Sequence, residues 1–477
     1  MAHIDSRRTD RSVAPTKASP KLASRTARAI RNDIVAAGWP VGMVLGSEPE
    51  LLLRYNVSRA VYREAVRLLE HLGVVRTRRG PGGGLVVSEP DTGTTVNAVI
   101  AYLLFNGVSL GEVMEARVTL EQIVAELAAT RADDLQIALL RAQVERETPD
   151  QIDGTDRHHI LHTMIAQTAA NPAAELFVEI LGRLTVQWVY PAVSKRRRYE
   201  ALSASHAAHR ALVDAIAGGD QVRCQHIMRR HLDGMARWID EHPGEPQLTP
   251  WAPIGGVPKL GEQLAHSIAV DIVAGRKMPG NVIGSEAELI EQYGLSRSAF
   301  REGVRLLEFQ RLATMRHGVG GLVVTSPNVS AIVDAAAVYL EFRHITADDL
   351  MEMRRGLELR AIELAARRLT ADDASMLQGI LEEELATDYS APAGGRLHQV
   401  LAGLSGNRAL TLFIHVLARL TMNFAEQPSP TTSRFAELAR STHQAHQAIV
   451  DALVAGDGQL ARRRLGKHLD ALGPLMH

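Results

Sequence analysis

The chain of 477 residues contains a single cysteine, Cys224. One thiol excludes a disulfide framework and any zinc site built from several cysteines, and it suits a reducing compartment. No stretch approaches 18 consecutive apolar residues, and the N-terminus has no apolar core. Neither a membrane span nor a secretion signal is therefore expected, and the reading is a cytoplasmic protein with no membrane partner. Aromatic residues are scarce, and the abundance of Ala, Leu, Arg and Glu leans helical. Net charge is lacking too: the formal value is −1, which by itself makes no case for a nucleic-acid partner.

What is present is a repeat. Gly46 to Glu70 reads GSEPELLLRYNVSRAVYREAVRLLE, and Gly284 to Glu308 reads GSEAELIEQYGLSRSAFREGVRLLE. They agree at 15 of 25 positions at an offset of 238 residues, so the chain is a duplication. Each copy predicts a short helix, a turn and a second helix. Ser47 and Ser285 take N-cap places, with Glu50 and Glu288 three residues on, the capping-box spacing. Asn56-Val57 and Gly294-Leu295 make the turn, and Ser58 and Ser296 cap the second helix. On that helix Val61, Ala65, Leu68, Leu69 and Leu72 share an apolar face. Arg59, Arg63 and Arg67 recur every four residues on the other side, and Arg297, Arg301 and Arg305 repeat them. A lone arginine stripe would read as a solvated face. Repeated in a second helix-turn-helix, it reads as a helix offering guanidinium groups to a major groove.

A strand follows at Val74 to Arg79, then the turn Gly80-Pro81-Gly82-Gly83-Gly84 and a return strand at Leu85 to Val87. The second copy has Ala313 to His317, Gly318 to Gly321 and Leu322 to Val324. A helix-turn-helix with such a hairpin is a winged helix, and the segment resembles the GntR family of bacterial transcription regulators. The resemblance implies DNA contacts at Arg59, Arg63 and the wing tip Gly80, Pro81 and Gly82. In the second copy it implies Arg297, Arg301, Gly318, Val319 and Gly320. A further arginine that the family often carries after the first Glu is replaced by Pro49 and Ala287. Local charge is unequal. Pro20 to Ser88 carries eleven Lys and Arg against five Asp and Glu, whereas Val257 to Thr325 carries eight against seven. The first winged helix should hold phosphates more strongly.

In chain order, residues 1–20 read as a disordered arm and 21–90 as the first winged helix. Residues 94–240 read as helix after helix: Ala98 to Phe105, Leu110 to Ala129, Ala132 to Glu147, Arg157 to Ala170, Ala173 to Tyr190, Tyr199 to Ala217 and Gln221 to Asp240. Residues 241–258 are a linker rich in Pro and Gly, able to span about 60 Å. The second winged helix is expected at 259–326 and a second helical bundle at 330–477. The fold class is mainly α: two winged helix-turn-helix domains, each followed by an all-α bundle. The bundles resemble the FCD effector domain of the FadR branch. The signature is Met114 to Glu121, MEARVTLE, repeated at Met351 to Glu358 as MEMRRGLE.

Many FCD domains bind a divalent metal through one Asp and three His. The resemblance places the histidines at His162, His209 and His231, and at His398, His446 and His468. Imidazoles from facing helices suit zinc or nickel. The Asp place, four residues before the first His, holds His158 in copy 1 and Gly394 in copy 2. Copy 1 thus offers His158 as a fourth imidazole, one helical turn from His162. Copy 2 offers an open position for water or an effector carboxylate. His206 and His443 are candidates for the pocket wall. Arg117 and Arg354 are candidate anchors for an anionic effector, with a helix-surface salt bridge to Glu121 or Glu358 as the alternative.

Taken together, the sequence points to a DNA-binding regulator, expected to be a repressor, with double-stranded operator DNA and a small-molecule effector, such as an organic acid, as partners. It is not expected to be an enzyme, and the two copies are expected to pair as an intramolecular pseudo-dimer, monomeric in solution. The competing readings are a metal-dependent enzyme with attached DNA-binding modules and an architectural DNA-binding protein with degenerate pockets.

Overall fold

The computed structural model describes residues 20–80, 82–147, 157–189, 195–241, 260–275, 277–309, 311–316, 320–386, 395–425 and 432–473. The chain forms two compact units, Met1–Asp91 and Thr92–His477.

In the first unit α1 (Pro20–Ala36) is followed by β1 (Val44–Gly46), α2 (Glu48–Arg54), α3 (Arg59–His71), β2 (Val75–Arg78) and β3 (Gly84–Val87). The Glu50 carboxylate accepts the Ser47 backbone N–H at 2.7 Å, and Ser58 accepts from the Val61 N–H at 3.4 Å. Between the helices Asn56 takes a left-handed conformation, φ 49°. Its counterpart Gly294 does the same at φ 62°, and Asn and Gly are the residue types that tolerate this turn. Ile30 and Ile34 of α1 are buried, as are Leu51, Val61, Ala65 and Leu69. Polar ties fix the angles: Tyr55 donates to Asp33 at 2.6 Å, and Glu70 accepts the Thr77 N–H at 2.9 Å.

The sheet has the order β1-β3-β2, all antiparallel. The strand β1 was not expected from sequence. Three residues carry no alternation to read, and Val44 is extended because it pairs with Val86. At the crossing a Cβ on Gly84 would lie 2.4 Å from the Gly46 carbonyl oxygen, and one on Gly321 would lie 2.5 Å from that of Gly284. Only glycine allows this approach.

The second unit begins with α4 (Thr92–Phe105), α5 (Leu110–Arg131), α6 (Asp134–Arg146), α7 (Arg157–Thr168), α8 (Pro172–Val189), α9 (Lys195–Ala217) and α10 (Gln221–Asp240). Helix α4 starts six residues before the expected Ala98. The added turns bury Thr95 and Val96, so tertiary packing extends the helix beyond its sequence signal. Helix α5 is the spine of the bundle: Val113, Ala116, Leu120, Val124 and Ala128 are fully buried. The second winged helix follows as α11 (Leu260–Ala274), β4 (Val282–Gly284), α12 (Glu286–Tyr293), α13 (Arg297–Phe309), β5 (Ala313–Arg316) and β6 (Gly321–Val324). Its sheet order is β4-β6-β5. Its core of Leu264, Ile268, Phe300 and Leu307 also takes in Ala101 and Phe105 from α4, so this winged helix is seated on the first bundle.

The second bundle comprises α14 (Val329–Phe342), α15 (Ala347–Arg368), α16 (Ala371–Ala386), α17 (Arg396–Leu404), α18 (Arg408–Ala425), α19 (Thr432–Val454) and α20 (Gly458–Leu472). The two bundles share one apolar core. At its centre the rings of Phe177 and Phe413 stack at 4.0 Å with planes 7° apart. Around it the contacts repeat in mirrored roles. Asn171 Nδ2 donates to the Asp349 carbonyl at 2.9 Å, and Asn407 Nδ2 donates to the Glu112 carbonyl at 2.9 Å. Among the described residues no helix is long and apolar enough to cross a membrane.

Candidate DNA-reading surfaces and two histidine triads

Helix α3 buries Val61, Tyr62, Ala65, Val66 and Leu69, and Arg59 and Arg63 are left exposed on its first turns. Both arginines are held by Glu48 at the start of α2, at 3.1 and 3.4 Å. In the second copy Arg297 and Arg301 are exposed on α13 at the same places. Among the described residues they form no such ion pair, although Glu286 stands where Glu48 does. The exposed wing glycines Gly80 and Gly82 have φ of 96° and 69° and open space around them. The Gly82 carbonyl accepts from Arg78 at 2.6 Å. Gly320 is half-buried beside Arg316. Pro81, Gly318 and Val319 lie outside the described residues.

Inside the first bundle His162 of α7, His209 of α9 and His231 of α10 converge. Their Nε2 atoms lie 3.2 Å (His209–His162), 3.3 Å (His209–His231) and 3.3 Å (His231–His162) apart. His398 of α17, His446 of α19 and His468 of α20 repeat the arrangement, with His468 Nε2 at 3.3 Å from His398 and 3.2 Å from His446. None of the six is more than 9 % exposed. The structure therefore brings together three of the four imidazoles considered for copy 1 and all three of copy 2. Helix α7 includes His158, but its side chain lies outside the described residues, as does Gly394.

The sequence reading missed what holds these rings. The Nδ1 of His162 is hydrogen-bonded to Glu121 of α5, and that of His209 to Glu147 at 2.6 Å. His398 Nδ1 meets Glu358 of α15, and His446 Nδ1 meets Glu384 of α16 at 2.9 Å. All four carboxylates are buried. An ionised carboxylate only accepts, so each of these rings carries its proton on Nδ1 and turns the Nε2 lone pair toward the other two. A signal existed: Glu121 and Glu147 recur as Glu358 and Glu384 at the same offset as the histidines. It went unread because each Glu sits on another helix, far from its His in sequence.

Arg117 and Arg354 are not on the helix surface, as the salt-bridge alternative had them. Both are 3 % exposed, with Arg117 Nε 2.6 Å from Glu121 and Arg354 Nε 2.7 Å from Glu358. Arg117 also donates to Thr185 at 3.2 Å, and Arg354 to Thr421 at 3.1 Å. Each guanidinium thus makes the ion pair with Glu121 or Glu358 that the alternative named, but inside the bundle and behind a triad histidine. Burial pushes the Glu121 carboxyl up, but Arg117 and His162 outweigh it and hold it far below the ordinary value. Against the same burial, Arg354 and His398 bring Glu358 down to about 2. Burial and the neighbouring His209 and His162 hold His231 well below its ordinary value. Burial, His398 and His446 bring His468 down to about 2. His443 Nδ1 lies 3.3 Å from Glu384, whereas His206 Nε2 faces Arg210 at 3.4 Å and its buried Nδ1 has no hydrogen-bond partner among the described residues.

Comparison with known proteins adds a second line. Residues 22–96 and 260–323 match the bacterial regulatory proteins of the gntR family, and residues 112–234 and 349–471 match the FCD domain. The chain is 28 % identical over 211 residues to the uncharacterized HTH-type transcriptional regulator YieP of Escherichia coli, covering 42 % of this chain and 89 % of that protein. It is 28 % identical over 230 residues to the HTH-type transcriptional repressor NanR of Citrobacter rodentium, covering 46 % of this chain and 86 % of the relative. A solved GntR protein of Streptococcus agalactiae aligns with 45 % of this chain and 99 % of its own, at 24 % identity and a TM-score of 0.34.

Proposed function

The chain belongs to the GntR family of bacterial regulators and carries both its DNA-binding domain and its FCD effector domain twice, and from that premise we propose that it is a repressor whose grip on its operator is set by a small organic acid bound beside a metal ion in each bundle. Domains and relatives alike are those of transcriptional regulators rather than enzymes. The repressor reading is supported by the Citrobacter relative, a transcriptional repressor by name.

The observation that carries the metal is the convergence of three buried imidazoles, made twice, with ligand nitrogens within 4.8 Å of one another in each triad and Nε2 atoms 3.2–3.3 Å apart throughout the first. Without a cation, the Nε2 lone pairs of His162 and His209, and those of His398 and His446, are turned into a dry interior. A tetrahedral ion with metal–nitrogen distances of about 2.0–2.1 Å sets its ligands about 3.3–3.4 Å apart, so the triads fit zinc or a similar ion. His162, His209 and His231 would hold it in the first bundle, and His398, His446 and His468 in the second. A bound divalent ion supplies positive charge and open coordination positions for an effector carboxylate. The chain's own contribution is to orient the rings: Arg117 and Arg354 fix Glu121 and Glu358, which fix His162 and His398. His206 and His443 are assigned to the pocket wall, and His158, one helical turn before His162, is kept as a candidate fourth ligand.

DNA is read by Arg59 and Arg63 with the wing at Gly80 to Gly82, and by Arg297 and Arg301 with the wing at Gly318 to Gly320. Their exposure on second helices of helix-turn-helix units supports this. The shared core of the two bundles supports the internal pseudo-dimer, a single chain supplying both readers to one operator in the cytoplasm. Elemental analysis of the purified chain, followed by selection of genomic fragments and a screen of organic acids for their release, tests the whole reading. About two metal ions per chain and acid-dependent release are expected. A metal-free protein whose DNA binding no acid alters would overturn it.

A further inference from the structure

The facing surfaces of the two bundles have diverged in a directed way. Three ion pairs run from an arginine of the second bundle to a glutamate of the first. Arg343 meets Glu175 at 2.8 Å, Arg408 meets Glu112 at 2.7 Å and Arg360 meets Glu115 at 3.5 Å. At the equivalent places the first bundle has Asn106, Pro172 and Ile123 in place of those arginines. One pair runs the other way, Arg131 to Glu352. Shape has diverged at the same surface. Ile123 of α5 lies against Gly356 of α15, where a Cβ would come within 2.2 Å of the isoleucine Cδ1. The equivalent of Gly356 in the first bundle is Thr119, and the equivalent of Ile123 in the second is Arg360.

We infer that this surface is a selective one: the first bundle recognises the second and rejects another copy of itself. In a pair of first bundles Glu175 would face Asn106, Glu112 would face Pro172, and Ile123 would meet the branched side chain of Thr119. The half-buried carboxylates would lose their cations and the isoleucine its recess. In a pair of second bundles Arg343 would face Thr411, and the recess at Gly356 would be left without its isoleucine. Mismatch of this kind works by penalty as much as by attraction. The mirrored asparagine contacts and the Phe177–Phe413 stack would survive in either pair, so they bring the bundles together without choosing between them. The inference deepens the internal-dimer reading and rests on it. It also gives that reading a consequence: the two different readers always act as an unlike pair.

The test uses the full chain and thermal unfolding, which needs neither DNA nor metal. Gly356→Val is expected to lower Tm by about 3–6 °C. Adding Ile123→Ala to it is expected to restore most of that loss, although Ile123→Ala alone lowers Tm. Arg343→Glu is expected to destabilise and Glu175→Arg to rescue it in the double variant. Absence of rescue in both cycles overturns the inference. Phe177→Cys under mild oxidation reports like pairing directly. No covalently linked chain dimer is expected from it, whereas Phe177→Cys with Phe413→Cys closes the 177–413 bond. Abundant dimers from the single variant overturn selectivity. Light scattering separates the two levels: a wild-type chain that dimerises refutes the internal pairing yet leaves the rescue experiments able to show unlike pairing.

Discussion

The two halves of the chain keep the same buried histidine cluster and differ where they meet something else. In both bundles three histidines from three helices bring their ligand nitrogens within 4.8 Å of one another, backed by glutamates at equivalent positions. On the reading helices and between the bundles the copies part. Arg59 and Arg63 are bound to Glu48, and the exposed Ala60 stands where Ser298 does. A buried cluster has few solutions, because each polar atom needs its partner and each volume its neighbour. A surface is constrained only by its partner, so duplication left it free to specialise. The chemistry of the pockets was kept in duplicate, and recognition was not.

The sharpest way to break the equality of the pockets is to remove one ligand. His209→Ala and His446→Ala are each expected to cost about one of two metal ions per chain and to lower Tm, because bound metal adds to folding free energy. Elemental analysis alongside calorimetry checks this. An unchanged metal content in either variant would remove that triad from the account. One step weaker, Glu147→Gln and Glu384→Gln leave the triads intact but replace the ionised acceptor behind His209 and His446. Metal affinity is expected to fall about 10- to 100-fold in the altered bundle, read by chelator competition. Equal affinity in wild type and variants would mean that the carboxylates serve packing alone.

The inequality of the readers is tested by arginine removal. Arg59→Ala or Arg63→Ala is expected to cost about 1–3 kcal/mol of operator affinity and to flatten the salt dependence. Arg297→Ala or Arg301→Ala is expected to cost less, since the second winged helix carries little excess positive charge. Equal losses, measured by fluorescence anisotropy across a salt series, would erase the distinction. The smallest effect is expected from Glu48→Gln. Exposed ion pairs contribute about 0–1 kcal/mol, so freeing Arg59 and Arg63 should strengthen DNA binding by a few-fold at most. The matching change Glu286→Gln should do nearly nothing. A loss of affinity in Glu48→Gln would show that Glu48 positions the arginines rather than competing for them.

The unlike readers also predict an imperfect palindrome bound by one chain, its halves differing in sensitivity to base changes. Light scattering of the operator complex gives the stoichiometry. Two chains on a perfectly symmetric site would contradict it.

Much of this was legible in the residues alone, wherever cause and effect lie close along the chain. Ser47 with Glu50, the Asn56 and Gly294 turns, and the arginines at every fourth residue are local patterns, and local backbone chemistry enforces them. The histidines were legible because the resemblance to the FCD domain places them, and the duplication repeats them at offsets of 236 and 237. Tertiary structure decided what depends on distant segments. Strand β1 is extended only through Val86, α4 gains its first turns by packing, and Arg117 is buried against Glu121 rather than free for a ligand. Glu147 acquires its meaning from His209, 62 residues away, and Gly356 acquires its meaning from Ile123 in the other half. No period in the sequence announces such pairs, because it is the fold that sets the distance between their atoms.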